Sequence, residues 1–225
     1  MPIVIKEQMV LLCEGPADCS FFRNLGKKHE CLPFDTPFPH SGERLVGKDA
    51  FKDMLKSVRG TGLSYQNLKA ILIAVDSRSD HENTFNEVCE RHIREVGNFC
   101  IPTDDGEIAF GDDGHPAIGI LLVPGKRPGA LETLCIEAIE EKYERGNELI
   151  TCVDSYMRCG PIDIRDWSAE KRDKARLRCL VAALNQTDPI KSEKFAFESV
   201  IPTDAEAFND IGLRLKSFCD EVARL

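Results

Sequence analysis

The sequence predicts an α/β fold: a mostly parallel central sheet with helices on both faces and a C-terminal helical extension. Three short runs are almost wholly apolar, at 8–13, 68–75 and 118–123. Such runs suit strands covered on both faces. Segments with apolar residues at i, i+3, i+4 and i+7 lie between and after them, as amphipathic helices require. Strands alternating with helices imply βαβ units. Residues 1–146 are expected to form the α/β domain, and 147–225 a helical extension packed on the same core.

The first strand, QMVLLC at 8–13, stops at Glu14-Gly15-Pro16, where glycine and proline break the extended chain. Asp18 is then placed to open a helix carrying Phe21, Phe22 and Leu25. The stretch 31–47, with Pro33, Pro37, Pro39, Gly42 and Gly47, reads as a short strand and a long loop. Phe51, Met54, Leu55 and Val58 mark the next helix. LKAILIAV at 68–75 is the central strand and ends at Asp76. Phe85, Val88, Cys89, His92, Ile93 and Val96 follow as one helical stripe. The doublets Asp104-Asp105-Gly106 and Asp112-Asp113-Gly114 signal turns, with short strands expected to form a hairpin around Ile108. Their Asp spacing does not match a calcium loop. The strand 118–123 ends at Pro124-Gly125. A basic loop follows, then a helix marked by Leu131, Leu134, Cys135, Ala138 and Ile139. Stripes at Leu177, Leu180, Val181, Leu184 and at Phe208, Ile211, Leu215, Phe218, Cys219, Val222 complete the chain.

The formal charge is −9 over 225 residues. Proteins that hold nucleic acid by bulk charge are usually basic, so a broad non-specific DNA-binding face is not expected. A local basic groove is compatible with that balance. Neither a signal peptide nor an apolar run of the ~18 residues a membrane helix needs is recognised. The expected location is the cytoplasm, with no membrane partner. The ten cysteines include no C-x-x-C pair, which argues against structural zinc. They are expected to be reduced thiols that pack as small hydrophobes.

In an open parallel sheet, ligands bind beyond the carboxyl ends of the strands. Glu14 and Asp76 both end apolar strands, with Asp18 and Asp80 four residues beyond them. Glu132 follows the loop after the third strand. Carboxylates converging on one sheet edge would offer the hard oxygen ligands that Mg²⁺ or Mn²⁺ prefers. Each residue also has a plainer reading. Asp18 and Asp80 could cap helices, and Glu132 could complement a helix dipole. His92 lies in a core stripe. Lys48 at a helix start, and Lys126 and Arg127 in the basic loop, could meet phosphate or simply be solvated. The Gly42–Lys48 stretch is not a Walker A motif.

Glu14-Gly15-Pro16-Ala17-Asp18, between an apolar strand and Phe21-Phe22, resembles the glutamate motif of Toprim domains. Those domains are shared by topoisomerases, primases and the overcoming-lysogenisation-defect nucleases. Val75-Asp76-Ser77-Arg78-Ser79-Asp80 sits where such domains carry Asp-x-Asp. Pro124 through Gly129-Ala130-Leu131-Glu132 looks like the downstream segment of a bacterial Toprim-like family of unknown function. The resemblance covers most of the chain and matches the helical extension only loosely. It implies a divalent-metal-dependent nuclease or related phosphoryl-transfer enzyme, with nucleic acid as its partner. Glu14 and Asp76 would be catalytic and metal-ligating, with Asp18, Asp80 and Glu132 supporting. One departure stands out: Arg78 occupies the place of the second Asp, and a guanidinium cannot ligate a metal. Arg78 could instead bind phosphate through its planar fork. Alternatively the metal site has decayed, leaving an interaction module with a protein partner in a larger complex. A small-molecule phosphoryl-transfer enzyme using the same acidic pocket is the third class.

Overall fold

A computed structural model of the chain describes residues 5–37, 50–111, 114–159, 164–185 and 200–225. Strands β1 (Met9–Cys13), β2 (Ala70–Asp76), β3 (Ile108–Ala109) and β4 (Ala117–Val123) form one sheet in the order β1-β2-β4-β3. β1, β2 and β4 are parallel, and β3 runs antiparallel on the edge beside β4. The register pairs Cys13 with Ala74 and Asp76 with Val123. The chain therefore leaves all three parallel strands at the same edge of the sheet.

The apolar runs are continuous because successive side chains enter different cores. Met9, Leu11, Cys13, Leu72, Ala74, Leu121 and Val123 face one cluster. Val10, Leu12, Ile71, Ile73, Val75, Ile118, Ile120 and Leu122 face the other. The first is covered by α1 (Pro16–Lys28), α5 (Leu131–Lys142), α6 (Gly146–Arg158), α7 (Ala169–Leu184) and α8 (Asn209–Ala223). The second is covered by α2 (Phe51–Arg59) and by the helix that follows β2. A short α3 (Leu63–Gln66) leads into β2. The helices after residue 146 thus share a core with β1, β2 and β4. α8 packs directly on the sheet, where Gly119 of β4 makes room for Phe218. A Cβ at Gly119 would lie 2.5 Å from that ring.

Three local expectations change. The stripe after β2 is not one α-helix. Seven residues of α4 (His81–Glu87) pass into a π-helical segment, Val88–Arg94. The wider turn buries Val88, Cys89, His92 and Ile93 together, and the His92 ring lies edge-on to Phe51 at 6.1 Å. The hairpin around Ile108 reduces to the two-residue β3, whose partner is β4. Of the stretch 31–47 only 31–37 are described, and there the expected strand is a single parallel bridge, Val10 to Asp35; the rest of that expectation lies outside the described residues. All ten cysteines are free thiols; Cys13, Cys19, Cys89, Cys135 and Cys219 are buried, while Cys152 and Cys159 are exposed. Among the described residues no helix is long and apolar enough to cross a membrane.

Candidate carboxylate centre

β1 and β2 are neighbours, so Glu14 and Asp76 emerge side by side. The Asp76 amide donates to Glu14 Oε1 at 3.2 Å. Asp76 Oδ1 accepts from the amide of Leu131, at the start of α5, at 3.0 Å. That contact ties the end of β2 to the loop after β4. The same loop is locked by Ser77, which is fully buried and donates its Oγ to the Gly125 carbonyl at 2.6 Å.

Helix α1 begins two residues earlier than expected, because Pro16 suits the first helical turn. Gly15 is the N-cap. Asp18 is therefore an N3 residue, and its Oδ2 accepts from the Gly15 amide at 2.8 Å. This fixes the carboxylate over the first turn of α1, facing the strand ends. Glu132 lies in the first turn of α5. Four carboxylates, Glu14, Asp18, Asp76 and Glu132, therefore share one pocket.

The electrostatics record this crowding. Burial, followed by the charges of Glu14, Asp18 and Glu132, holds the Asp76 carboxyl well above the usual carboxylate range. Burial, then Glu132 and Glu14, pushes Asp18 up to about 7. Each acid is harder to ionise because its neighbours are acids.

Two cations enter the pocket. Arg78 Nη2 lies 3.1 Å from Glu14 Oε2. Arg78 adopts a left-handed backbone, φ 58°, which is costly for a residue with a Cβ. Paired backbone hydrogen bonds of 2.7 Å with Gly129 hold it there, and Gly129 itself has φ 143°. This conformation turns the guanidinium back over the strand end. The second cation is Lys174 of α7, 3.9 Å from Glu132 and 2.8 Å from Glu170. Burial opposes its charge, yet Glu170, Glu132 and Asp76 raise its pKa overall.

Other predicted residues lie elsewhere. Asp80 is exposed and caps α4, accepting from the Asn83 amide at 3.0 Å. Lys126 pairs with Asp104 at 2.6 Å, and Arg127 clasps Glu137 with contacts of 2.7 and 2.6 Å. All four of those partners are substantially exposed. Lys48 lies outside the described residues. Lys174 escaped the sequence reading because it only flanks the stripe that begins at Leu177. A lone lysine beside an apolar stripe is ordinary, and its acidic neighbours come from distant elements.

The chain belongs to the family described as "Protein of unknown function (DUF3226)", matched over residues 8–220. No curated protein and no solved structure matches it. The span shared with this DUF3226 family contains all four carboxylates, Arg78 and Lys174.

The donor set has the chemistry that a hard divalent cation takes: buried carboxylate oxygens that repel one another. Their arrangement is closed around other partners. Glu14 is turned to Arg78, Asp18 to Gly15, Asp76 to Leu131 and Glu132 toward Lys174. Among the described residues no three His, Cys, Asp or Glu side chains are arranged around one point as an ion would require. Occupancy would begin with Glu14 leaving Arg78.

Proposed function

We propose that this carboxylate pocket is the centre of a Toprim-type, divalent-metal-dependent phosphoryl-transfer enzyme that cleaves phosphodiesters in nucleic acid. The observation that carries this reading is the convergence of Glu14, Asp18, Asp76 and Glu132 at one sheet edge, with Asp18 and Asp76 hard to ionise. A purely structural site rarely gathers four acids, two of them hard to ionise, since each adds to the cost of charging the others.

Asp76, Glu14, Asp18 and Glu132 would hold Mg²⁺ or Mn²⁺, which supplies charge neutralisation at the scissile phosphate and makes water more acidic. The chain's own groups do the rest. Asp76 is positioned by a rigid strand and by the Leu131 amide. Glu14, released from Arg78, exchanges a proton with the attacking water or the leaving oxygen. Arg78 then turns its planar fork to the phosphate, a role that suits guanidinium geometry. Lys174 offsets the charge of Glu132 and Asp76 from the far side.

The test is calorimetric titration of the protein with Mn²⁺, alongside a cleavage assay on oligonucleotides. We expect binding in the micromolar to millimolar range, and loss of both binding and cleavage in Asp76→Asn. Wild-type protein that takes up no Mn²⁺ at millimolar concentration would sink the enzyme reading. The Arg78–Glu14 pair favours a second reading, an interaction module whose centre is closed by an internal cation. Arg78→Asp separates the two. In the module it opens the pocket and strengthens Mn²⁺ binding. In the enzyme it weakens binding of the phosphodiester.

A further inference from the structure

A second concave site lies beside the carboxylate centre, between α6 and α7. It encloses about 250 Å³. Three arginines line it, Arg158, Arg172 and Arg176, with Asp154 and Asp173. Among the described residues, three cations and two anions line this pocket, on a chain whose formal charge is −9.

The two aspartates are already engaged. Arg176 clasps Asp154 through Nε–Oδ1 at 2.6 Å and Nη2–Oδ2 at 3.1 Å, and its Nη1 reaches Asp173 Oδ1 at 3.2 Å. Thr133 Oγ1 donates to the other oxygen of Asp173 at 2.9 Å. Arg176 is thereby a fixed wall. Arg158 and Arg172 have no ion pair among the described residues, so their donors are available to a ligand.

The pocket is coupled to the carboxylate centre through two helices. On α7, Ala169, Arg172, Asp173 and Arg176 recur at i, i+3, i+4 and i+7 and face the pocket. Glu170 and Lys174 pair on the adjoining stripe, and Lys174 reaches toward Glu132. On α5, Thr133 contacts Asp173, while Leu131 two residues earlier donates to Asp76. The residues that meet the two sites lie two positions apart on α5, ~3 Å of helix rise, so neighbouring phosphates of one strand can occupy both. The space is smaller than the ~300–1,000 Å³ of a site that encloses a whole drug-sized ligand. It suits a phosphate with part of its sugar.

We propose that this arginine pocket is a phosphate subsite: it holds one phosphate of a nucleic-acid strand while a neighbouring phosphate of that strand lies at the carboxylate centre. The assignment rests on the phosphodiester reading above. Guanidinium groups grip phosphate oxygens bidentately, and a subsite away from the reacting bond supplies the positioning that phosphoryl transfer needs.

Trp167, the only tryptophan in the chain, precedes α7 and carries Lys171 Nζ 4.2 Å above its ring. It lies between Ile164 and Ala169, which both line the pocket, and serves as the fluorescence probe. Full-length protein is titrated with a single-stranded 12-mer at low salt, without added divalent cation. We expect saturable quenching. Arg172→Ala should weaken binding about tenfold and make the salt slope about one unit shallower, as loss of one phosphate contact does. Arg172→Lys should recover part of the affinity by keeping the charge. The double substitution Lys126→Ala, Arg127→Ala should leave affinity unchanged. Equal affinity in wild type and Arg172→Ala overturns the assignment, as does the absence of wild-type binding. Inorganic phosphate binding as tightly as the 12-mer overturns the strand as ligand. The Mn²⁺-induced rise in melting temperature should be the same in Arg172→Ala as in wild type. Its absence in both would count against the carboxylate centre, while the fluorescence titration still decides the pocket.

Discussion

Two groups of acids sit at the same edge of this sheet and are treated in opposite ways. Asp105, beside the end of β4, has a side chain only 4% exposed. Burial raises its pKa, yet Arg214 of α8 pairs with it directly and the Leu122 amide donates to it at 2.8 Å. Asp76 and Asp18 are half-buried, and the acids around them add to the desolvation penalty rather than relieve it. A buried charge with its partner in place is a structural clasp. Carboxylates pressed together store repulsion that an incoming cation can relieve. On the proposed reading, the contrast makes β1 and β2 the chemical end of the edge, and the β4–α8 side its support.

The sharpest way to break this contrast is Arg214→Leu. It leaves Asp105 buried without its cation, which costs about 3–5 kcal/mol, read as a lower denaturant midpoint with an unchanged slope. A loss below about 1 kcal/mol would show that Asp105 is not held by that pair. Asp76→Asn should behave in the opposite sense. It removes one of the mutually repelling acids, so the metal-free protein should be as stable as wild type or more so. At about 100 times its Kd, Mn²⁺ should stabilise wild type by roughly 2.7 kcal/mol. In a chain of this size that is a melting shift of roughly 5–10 °C, and the variant should show none. An equal shift in Asp76→Asn would remove Asp76 from the centre.

The pH dependence gives a smaller effect with a definite sign. Asp18 titrates near 7 when folded against an ordinary 3.8. The folded state therefore binds the proton more tightly. The stability this contributes is complete below about pH 4 and is lost as pH rises through about 7. Other groups titrate over the same range, so the quantity to measure is the difference between wild type and Asp18→Asn. Wild type should lose on the order of 4 kcal/mol relative to the variant between pH 4 and pH 8. Saturating Mn²⁺ should erase much of that loss. A difference that stays constant with pH would mean Asp18 ionises normally.

What could be read in advance follows the range of the forces involved. Strands buried on both faces announce themselves as unbroken apolar runs, so β1, β2 and β4 were legible, and with them the placement of Glu14 and Asp76. A short strand at Ile108 was expected too, but its pairing with β4 was not legible, because two residues carry no period. The π-helical turn at Val88–Arg94 was hidden because its buried positions also satisfy an α-helical stripe. Asp18 reads evenly as a helix cap and as a site residue; Pro16 in the first turn makes Gly15 the N-cap and moves Asp18 to N3. Arg78 was noticed as a departure, but its pairing with Glu14, 64 residues away, depends on a left-handed backbone that sequence does not announce. Lys174 was invisible for the same reason, since tertiary packing alone brings it to Glu132.

The smallest effect tests the boundary of the centre at Asp80. The sequence offered Asp80 as a ligand and, by a small margin in favour, as a cap, four residues beyond Asp76. In the fold its carboxylate accepts from the Asn83 amide at the start of α4, and it is absent from the charges that perturb Asp76 and Asp18. Removing a cap of this kind costs about 1 kcal/mol, so Asp80→Ala should lower the melting temperature by roughly 2–4 °C. Asp80→Ser keeps a capping oxygen and should restore most of that loss. Serine is a far poorer ligand for a hard divalent cation than a carboxylate, because it brings no charge. The two substitutions therefore separate the roles. With Asp80 as a cap alone, Asp80→Ser matches wild type both in apo stability and in its Mn²⁺ shift. If Asp80→Ser folds like wild type but loses the Mn²⁺ shift, the ion draws Asp80 inward, and the centre extends one helix further along the edge than the closed arrangement of these side chains indicates.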